Sequence, residues 1–193
     1  MNYEGIKLKV ESRLTPKRFK HVLGVGEAAK KLGEIYNESI EKVELGAILH
    51  DYAKNMKIEE LLEVARKNNI QLDEIEIESS ELIHGKVGAF LVKNDLKIED
   101  EDILNAIENH TMGRKNMSKL EKIICLADYI EPGRAFPGVE KLRKLAGKDL
   151  DKALLKALDN TIKYLIEEGQ VIHPRTLETR NYLLKIVREK GGE

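Results

Sequence analysis

Cysteine is almost missing from this chain. Cys125 is the single one among 193 residues, so no intrachain disulfide can form and the expected setting is a reducing one. Tryptophan is absent and aromatic residues make up 5%. No basic stripe is interleaved with rings, which argues against a nucleic-acid surface. Any base stacking must use few side chains, and Tyr52, Tyr129 and Phe136 are the candidates, with core packing the competing role for each. No apolar run is long enough to cross a bilayer. The amino-terminal stretch MNYEGIKLKVESRL has neither the apolar segment nor the small-residue cleavage site of a secretory signal. No sign of charge dominates either. Lys+Arg number 33 and Asp+Glu 34, a net charge of −1, which gives no sign of a general affinity for nucleic acid or acidic lipid. The expectation is a cytoplasmic protein with no membrane and no nucleic-acid partner. A Walker-type phosphate loop is also lacking, and Gly24–Val25–Gly26 lies inside a helical pattern without the preceding strand that a dinucleotide fingerprint needs.

What is present is helix. Only 4 prolines punctuate the chain, good helix formers are abundant, and neither strand alternation nor an internal repeat is visible. The pattern predicts helices over Tyr3–Arg13, from Pro16 to Tyr36 behind a Thr15 cap, and from Ser39 to His50. It predicts a turn at Tyr52–Asn55, a helix over Ile58–Lys67, and irregular chain through Asn68–Ser79. Further helices are expected over Ser80–Asn94 and Asp100–His110, and over a segment opened by a Ser118/Glu121 capping box and closed near Ile130. Val139–Ala146, Asp149–Glu168 and a last helix from Pro174 to Glu189 follow, with a frayed Gly191–Glu193 tail. This is an all-α chain without a linker. It reads as one domain over 1–193, with a core over about 16–132 and C-terminal helices over 139–189 packed on it. A helical protein of this size is a candidate homodimer, although no seam stands out.

Four of the 5 histidines and two aspartates fall on these helices in a telling way. His21, Val25, Ala28 and Leu32 share one stripe, as do Val43, Ala47 and His50. His84 lies with Val87 and Leu91, His110 with Ile103 and Ile107, and Asp128 with Leu120 and Ile124. Asp51 follows His50 directly. A single histidine on an apolar stripe is more often a satisfied core residue than a ligand. A buried carboxylate is harder to dismiss, because it needs a cation or several donors. Four imidazoles and two carboxylates all turned inward would make a poor core unless cations sit among them. His173, before Pro174, suits a capping role or at most a substrate contact.

The order His21, His50–Asp51, His84, His110, Asp128 resembles the HD-domain metal-dependent phosphohydrolase superfamily. The segments His50–Asp51–Tyr52–Ala53–Lys54, His110–Thr111–Met112–Gly113, Ala127 to Arg134, and His173–Pro174–Arg175–Thr176 with Arg180–Asn181 are similar to the YqeK-type symmetrical bis(5′-nucleosyl)-tetraphosphatases within it. That resemblance implies an HD-domain helical bundle with a dinuclear site, commonly iron. One ion would take His21, His50, Asp51 and Asp128, and the other Asp51, His84 and His110. Mixed nitrogen and oxygen donors suit manganese, cobalt and zinc as well. It also implies a dinucleoside polyphosphate substrate, with ADP- or GDP-like products. Diadenosine tetraphosphate would be cut to two ADP by a metal-activated hydroxide at a central phosphate, with Asp51 at the centre of the chemistry.

Phosphate contacts are assigned by position. Lys54, one turn past His50, is a catalytic and phosphate-binding candidate competing with a plain surface lysine. Arg134, in the loop after Asp128, is a bidentate phosphate partner competing with a solvated charge. Arg180 competes with a structural ion pair. Thr111 and Gly113 would form a tight loop beside the second ion. Three other readings keep the same ligands: an HD phosphohydrolase acting on another nucleotide, a non-catalytic nucleotide or metal sensor, and a di-iron oxygenase. Lys54 and Arg134 favour a polyanion over the last.

Overall fold

The computed structural model describes residues 2–191, which form ten α-helices, one 3-10 turn and no strand. In chain order the helices are α1 (Tyr3–Arg13), α2 (Pro16–Tyr36), α3 (Ile40–Leu49), α4 (Ile58–Lys67), α5 (Ser80–Leu96), α6 (Glu101–Asn109), α7 (Lys119–Ile130), α8 (Val139–Ala146), α9 (Leu150–Glu167) and α10 (Pro174–Gly191).

The starts are set by local chemistry. Thr15 accepts a hydrogen bond from the Arg18 amide, and Pro16 supplies the first helical residue of α2. Ser39 caps α3 and Asp149 caps α9 in the same manner. At α7 the reciprocal box forms as the spacing predicts, with Ser118 Oγ receiving the Glu121 amide and Glu121 receiving the Ser118 amide. Asn37 ends α2 in the left-handed region, at φ 51°. Differences from the predicted bounds are small. The helix after Ser79 runs on to Leu96, the irregular 68–79 stretch holds a 3-10 turn at Glu76–Glu78, and α10 reaches Gly191. The expected frayed tail at 192–193 lies outside the described residues.

α2 packs on α3 and α7, α6 on α3, α5 and α7, and α9 on α7, α8 and α10. A continuous apolar cluster joins them, from Val10 on α1 through Val25, Val43, Ile107 and Ile124 to Leu154 on α9 and Leu183 on α10. Each fully buried aliphatic side chain of this kind contributes about 1.5–3 kcal/mol. A smaller cluster, Ala53, Leu61, Ala65, Ile83 and Val87, seats α4 against α5. No described helix is long and apolar enough to cross a membrane.

Candidate metal centre

The five stripe residues and Asp51 converge between α2, α3, α5, α6 and α7. His50 and His110 occupy equivalent positions, as the C-caps of α3 and α6 with helical backbone angles. There the carbonyls of the last turn lack helical partners. The Nδ1 of His50 uses the Ala47 carbonyl at 2.7 Å, and that of His110 uses the Ile107 carbonyl at 2.7 Å. His84, inside α5, does the same with Ser80 at 3.2 Å. A carbonyl only accepts, so each Nδ1 carries the proton and each Nε2 is left as a lone-pair donor. The fourth imidazole, His21 on α2, places Nδ1 3.2 Å from the Glu131 carboxylate.

The four Nε2 atoms face the carboxylates. Asp51, 2% exposed, stands with Oδ2 3.2 Å from His50 Nε2 and 3.8 Å from His21 Nε2. Its Oδ1 is 3.3 Å from His84 Nε2 and 3.9 Å from His110 Nε2. Asp128 Oδ1 lies 2.9 Å from His21 Nε2. Three donor groups result: His21–His50–Asp51, His50–His110–Asp128 and Asp51–His84–His110, each with its ligand atoms within 4.8 Å of one another.

A glycine makes the third group possible. A Cβ at Gly85 would stand 2.7 Å from the Glu108 carbonyl oxygen and 3.1 Å from that of Ile107. Only a bare Cα lets α5 lie this close to the end of α6, and the neighbouring His84 is thereby brought to 3.0 Å from His110, Nε2 to Nε2.

These donors fit a cation. The Nε2 atoms of His21 and His50 and the Oδ2 of Asp51 are buried without a hydrogen-bond partner, a costly state for polar atoms. Arg18 Nη1 approaches that Oδ2 to 3.1 Å but does not form a directed hydrogen bond. The His84 and His110 nitrogens present lone pairs to each other at a separation natural for two adjacent ligands about 2.1 Å from one ion. Protonation follows suit. Burial, reinforced by His84 and His50, pushes His110 down to about 3, which keeps it neutral. Burial opposes ionisation of Asp128, yet the His21 ring at 2.9 Å, with His50 and His110 beyond it, prevails and holds it well below the usual carboxylate range. Asp51 is likewise held low against its burial, chiefly by His50. At His50 burial works downward and is outweighed by Asp51, which raises it, so a metal taking this pair would displace a proton there while meeting neutral His110 and ionised carboxylates.

Two cavities adjoin the donors. One, of about 730 Å³, opens at His110 and Asp128 and runs between α7 and α9 with mostly apolar walls. The other, of about 920 Å³, opens at His21 and is lined by the cations Lys17, Arg18, Lys20, Lys54 and Arg134 against three carboxylates. Glu81 and Arg134 line both.

The expected substrate contacts fall unevenly around this frame. Lys54 is largely covered, lines the basic cavity and pairs with Glu81, so it is not a free surface lysine. Arg134 lies at the junction and bonds the backbone and carboxylate oxygens of Asp128. Thr111 lines the apolar cavity, with its hydroxyl 3.3 Å from His110 Nε2. Gly113 does sit in a tight turn, at φ 67°, but its close approach is to Thr179 of α10, 2.5 Å from a would-be Cβ. Arg180 lines neither cavity and pairs with Asp159 at 2.8 Å, the structural alternative weighed for it. His173 caps α10, receiving the Arg175 amide on Nδ1, and bonds Asp73 through Nε2.

Sequence reasoning passed over three groups. Arg18 stands one turn before His21 on the same face of α2, a spacing that pointed to it. Glu131 orients His21 and accepts the Gly133 amide. Arg175 holds the Gly113 carbonyl at 2.9 Å and Asn109 Oδ1 at 2.7 Å, clamping the turn that carries His110. Glu131 and Arg175 lie within the resembling motifs, which carried no sign of these contacts.

The arrangement defines a class. The HD domain family model matches residues 18–133, and the chain belongs to that family. Among curated relatives it is 49% identical to the symmetrical bis(5′-nucleosyl)-tetraphosphatase of Halalkalibacterium halodurans, over 91% of this chain and 93% of the relative. It is 42% identical to the protein of the same name from Bacillus subtilis, over 95% and 98%. A crystal structure from Clostridium acetobutylicum, described as a predicted HD superfamily hydrolase involved in NAD metabolism, superposes with a TM-score of 0.92 at 48% identity, covering 96% of this chain and 98% of that one.

Proposed function

We propose that this protein is a symmetrical dinucleoside tetraphosphatase, hydrolysing diadenosine tetraphosphate to two molecules of ADP. The observation that carries the reading is the meeting of four imidazole nitrogens and two carboxylates at the junction of a basic and an apolar cavity. The name shared by the relatives points to the same substrate.

His21, His50, Asp51, His84, His110 and Asp128 are the residues that would hold the metal, with a pair of iron ions as the favoured occupant. When bound, such ions supply Lewis acidity and lower the pKa of water toward neutrality. The chain's own groups do the rest. Arg18, Lys54 and Arg134 bind the phosphate oxygens and offset the charge that develops as the central bridge breaks. Lys54 and Arg134 exchange their present carboxylate partners, Glu81 and Asp128, for phosphate. Thr111 donates its hydroxyl beside His110. Glu131 keeps the His21 ring oriented, a role of the kind that typically tunes metal affinity by 10- to 100-fold. The bundle acts as one unit in this reading, with α9 walling the apolar cavity.

The test pairs metal analysis of protein purified without chelator with product analysis on diadenosine tetraphosphate. Co-purifying transition metal and ADP as sole nucleotide product are expected. AMP with ATP would mean asymmetric cutting, and recovery of intact nucleotide from metal-loaded protein would mean a sensor.

A further inference from the structure

A substrate with two identical ends would meet a site with two different ones. On one side of the donors lies the apolar cavity, floored by Leu154 and Leu158 and flanked by Tyr129, Phe136 and Tyr164. The Tyr129 and Phe136 rings are packed 5.0 Å apart, whereas Tyr164 is 59% exposed with its ring uncommitted. The cavity also holds the single carboxamide of its lining, Asn160, beside Thr161. This is a place for a flat, largely apolar heterocycle with polar edges. On the other side the basic cavity has five cations and no Phe, Tyr or Trp in its lining, its one ring being the His21 imidazole at the donors. That is a place for phosphate.

We propose that the enzyme binds its dinucleotide in one sense only. One nucleoside sits in the cavity between α7 and α9, stacked on Tyr164, and the second half lies along the basic cleft of α2 with its base unread. The inference rests on the tetraphosphatase reading and adds direction to it. Charge builds on the departing diphosphate, and Lys17, Arg18, Lys20 and Lys54 can receive it on the α2 side, against Lys163 alone on the other, with Arg134 shared between the two. Water oxygen therefore bonds to the inner phosphorus of the half whose base is held in the apolar cavity. The central phosphorus–oxygen bond breaks with its electron pair going to the half in the basic cleft, and the water protons pass to solvent as the new terminal phosphates ionise.

With identical ends this is invisible, but a mixed substrate exposes it. A purine offers more surface to an aromatic wall than a pyrimidine does, so in adenosine–uridine tetraphosphate the adenosine should take the apolar cavity. Hydrolysis by the metal-containing protein in oxygen-18 water, read by mass spectrometry, should place the label in ADP over UDP by about threefold or more. Tyr164→Ala, at an exposed position that leaves the core intact, should bring the ratio toward unity and raise KM. Equal labelling by the wild-type protein, or label mainly in UDP, overturns the proposal while leaving tetraphosphatase activity standing. A ratio unmoved in Tyr164→Ala overturns the assignment of that wall. Products other than ADP and UDP remove the underlying reading, and this one with it.

Discussion

Asp51 is the residue on which most other distances depend. It is buried, ionised and faced by four imidazoles, an arrangement that makes physical sense around a cation. Replacing it with alanine removes the carboxylate shared by two donor groups. Asp51→Ala should lose nearly all co-purifying metal, and turnover should fall roughly a thousandfold or more, the scale of several kcal/mol of lost charge stabilisation. Elemental analysis alongside the product assay checks it, and a folded, metal-free variant with normal turnover would refute the role. At this scale the sequence was informative where helical period exposed a face. His21, His50, His84, His110 and Asp128 each share a stripe with apolar neighbours, and those stripes do meet. It was mute on Glu131, whose contact with His21 spans 110 residues of chain and depends on how α2 and α7 register. Arg180 illustrates the converse, since its motif position suggested phosphate while its side chain is committed to Asp159.

Helix existence and bounds were readable because caps and prolines are local signals. How closely two helices approach is not local, and Gly85 decides it for α5 and α6. In the sequence it is one of 14 glycines inside a helix, unremarked. Gly85→Ala puts a methyl against a carbonyl of α6, an overpacking that costs about 1–3 kcal/mol. It should separate His84 from His110 and lower metal content at the same time. Chemical denaturation and metal analysis together give the check. Unchanged stability with full metal content would show that α5 and α6 tolerate the added group. Gly113 belongs to the same scale, because its positive φ and the nearness of Thr179 tie the turn after α6 to α10.

At the scale of the molecule, α7, α9 and α10 are tied by one carboxylate. Asp151 on α9 is buried and lies 2.7 Å from Lys122 on α7 and 2.5 Å from Lys190 on α10. Burial works to raise its pKa, and the two ammonium groups outweigh it, so the folded value is lowered. A carboxyl with a depressed folded pKa contributes stability that is present above its unfolded pKa of about 3.9 and is lost as pH falls through the folded value. Urea unfolding from pH 7 to 3 should therefore show wild type ahead of Asp151→Asn near neutrality, with the gap closing below about pH 4. A gap that stays constant would mean that the charge of Asp151 is irrelevant.

Membership of Asp51 in two donor groups has an arithmetic side. An ion drawn to either group settles the carboxylate that the other also needs, and such coupling is mutual. The first ion would change the affinity for the second by the same factor as the second changes that for the first. Metal titration of the stripped protein reads the sign of that factor directly, as one steep step or as two separated ones.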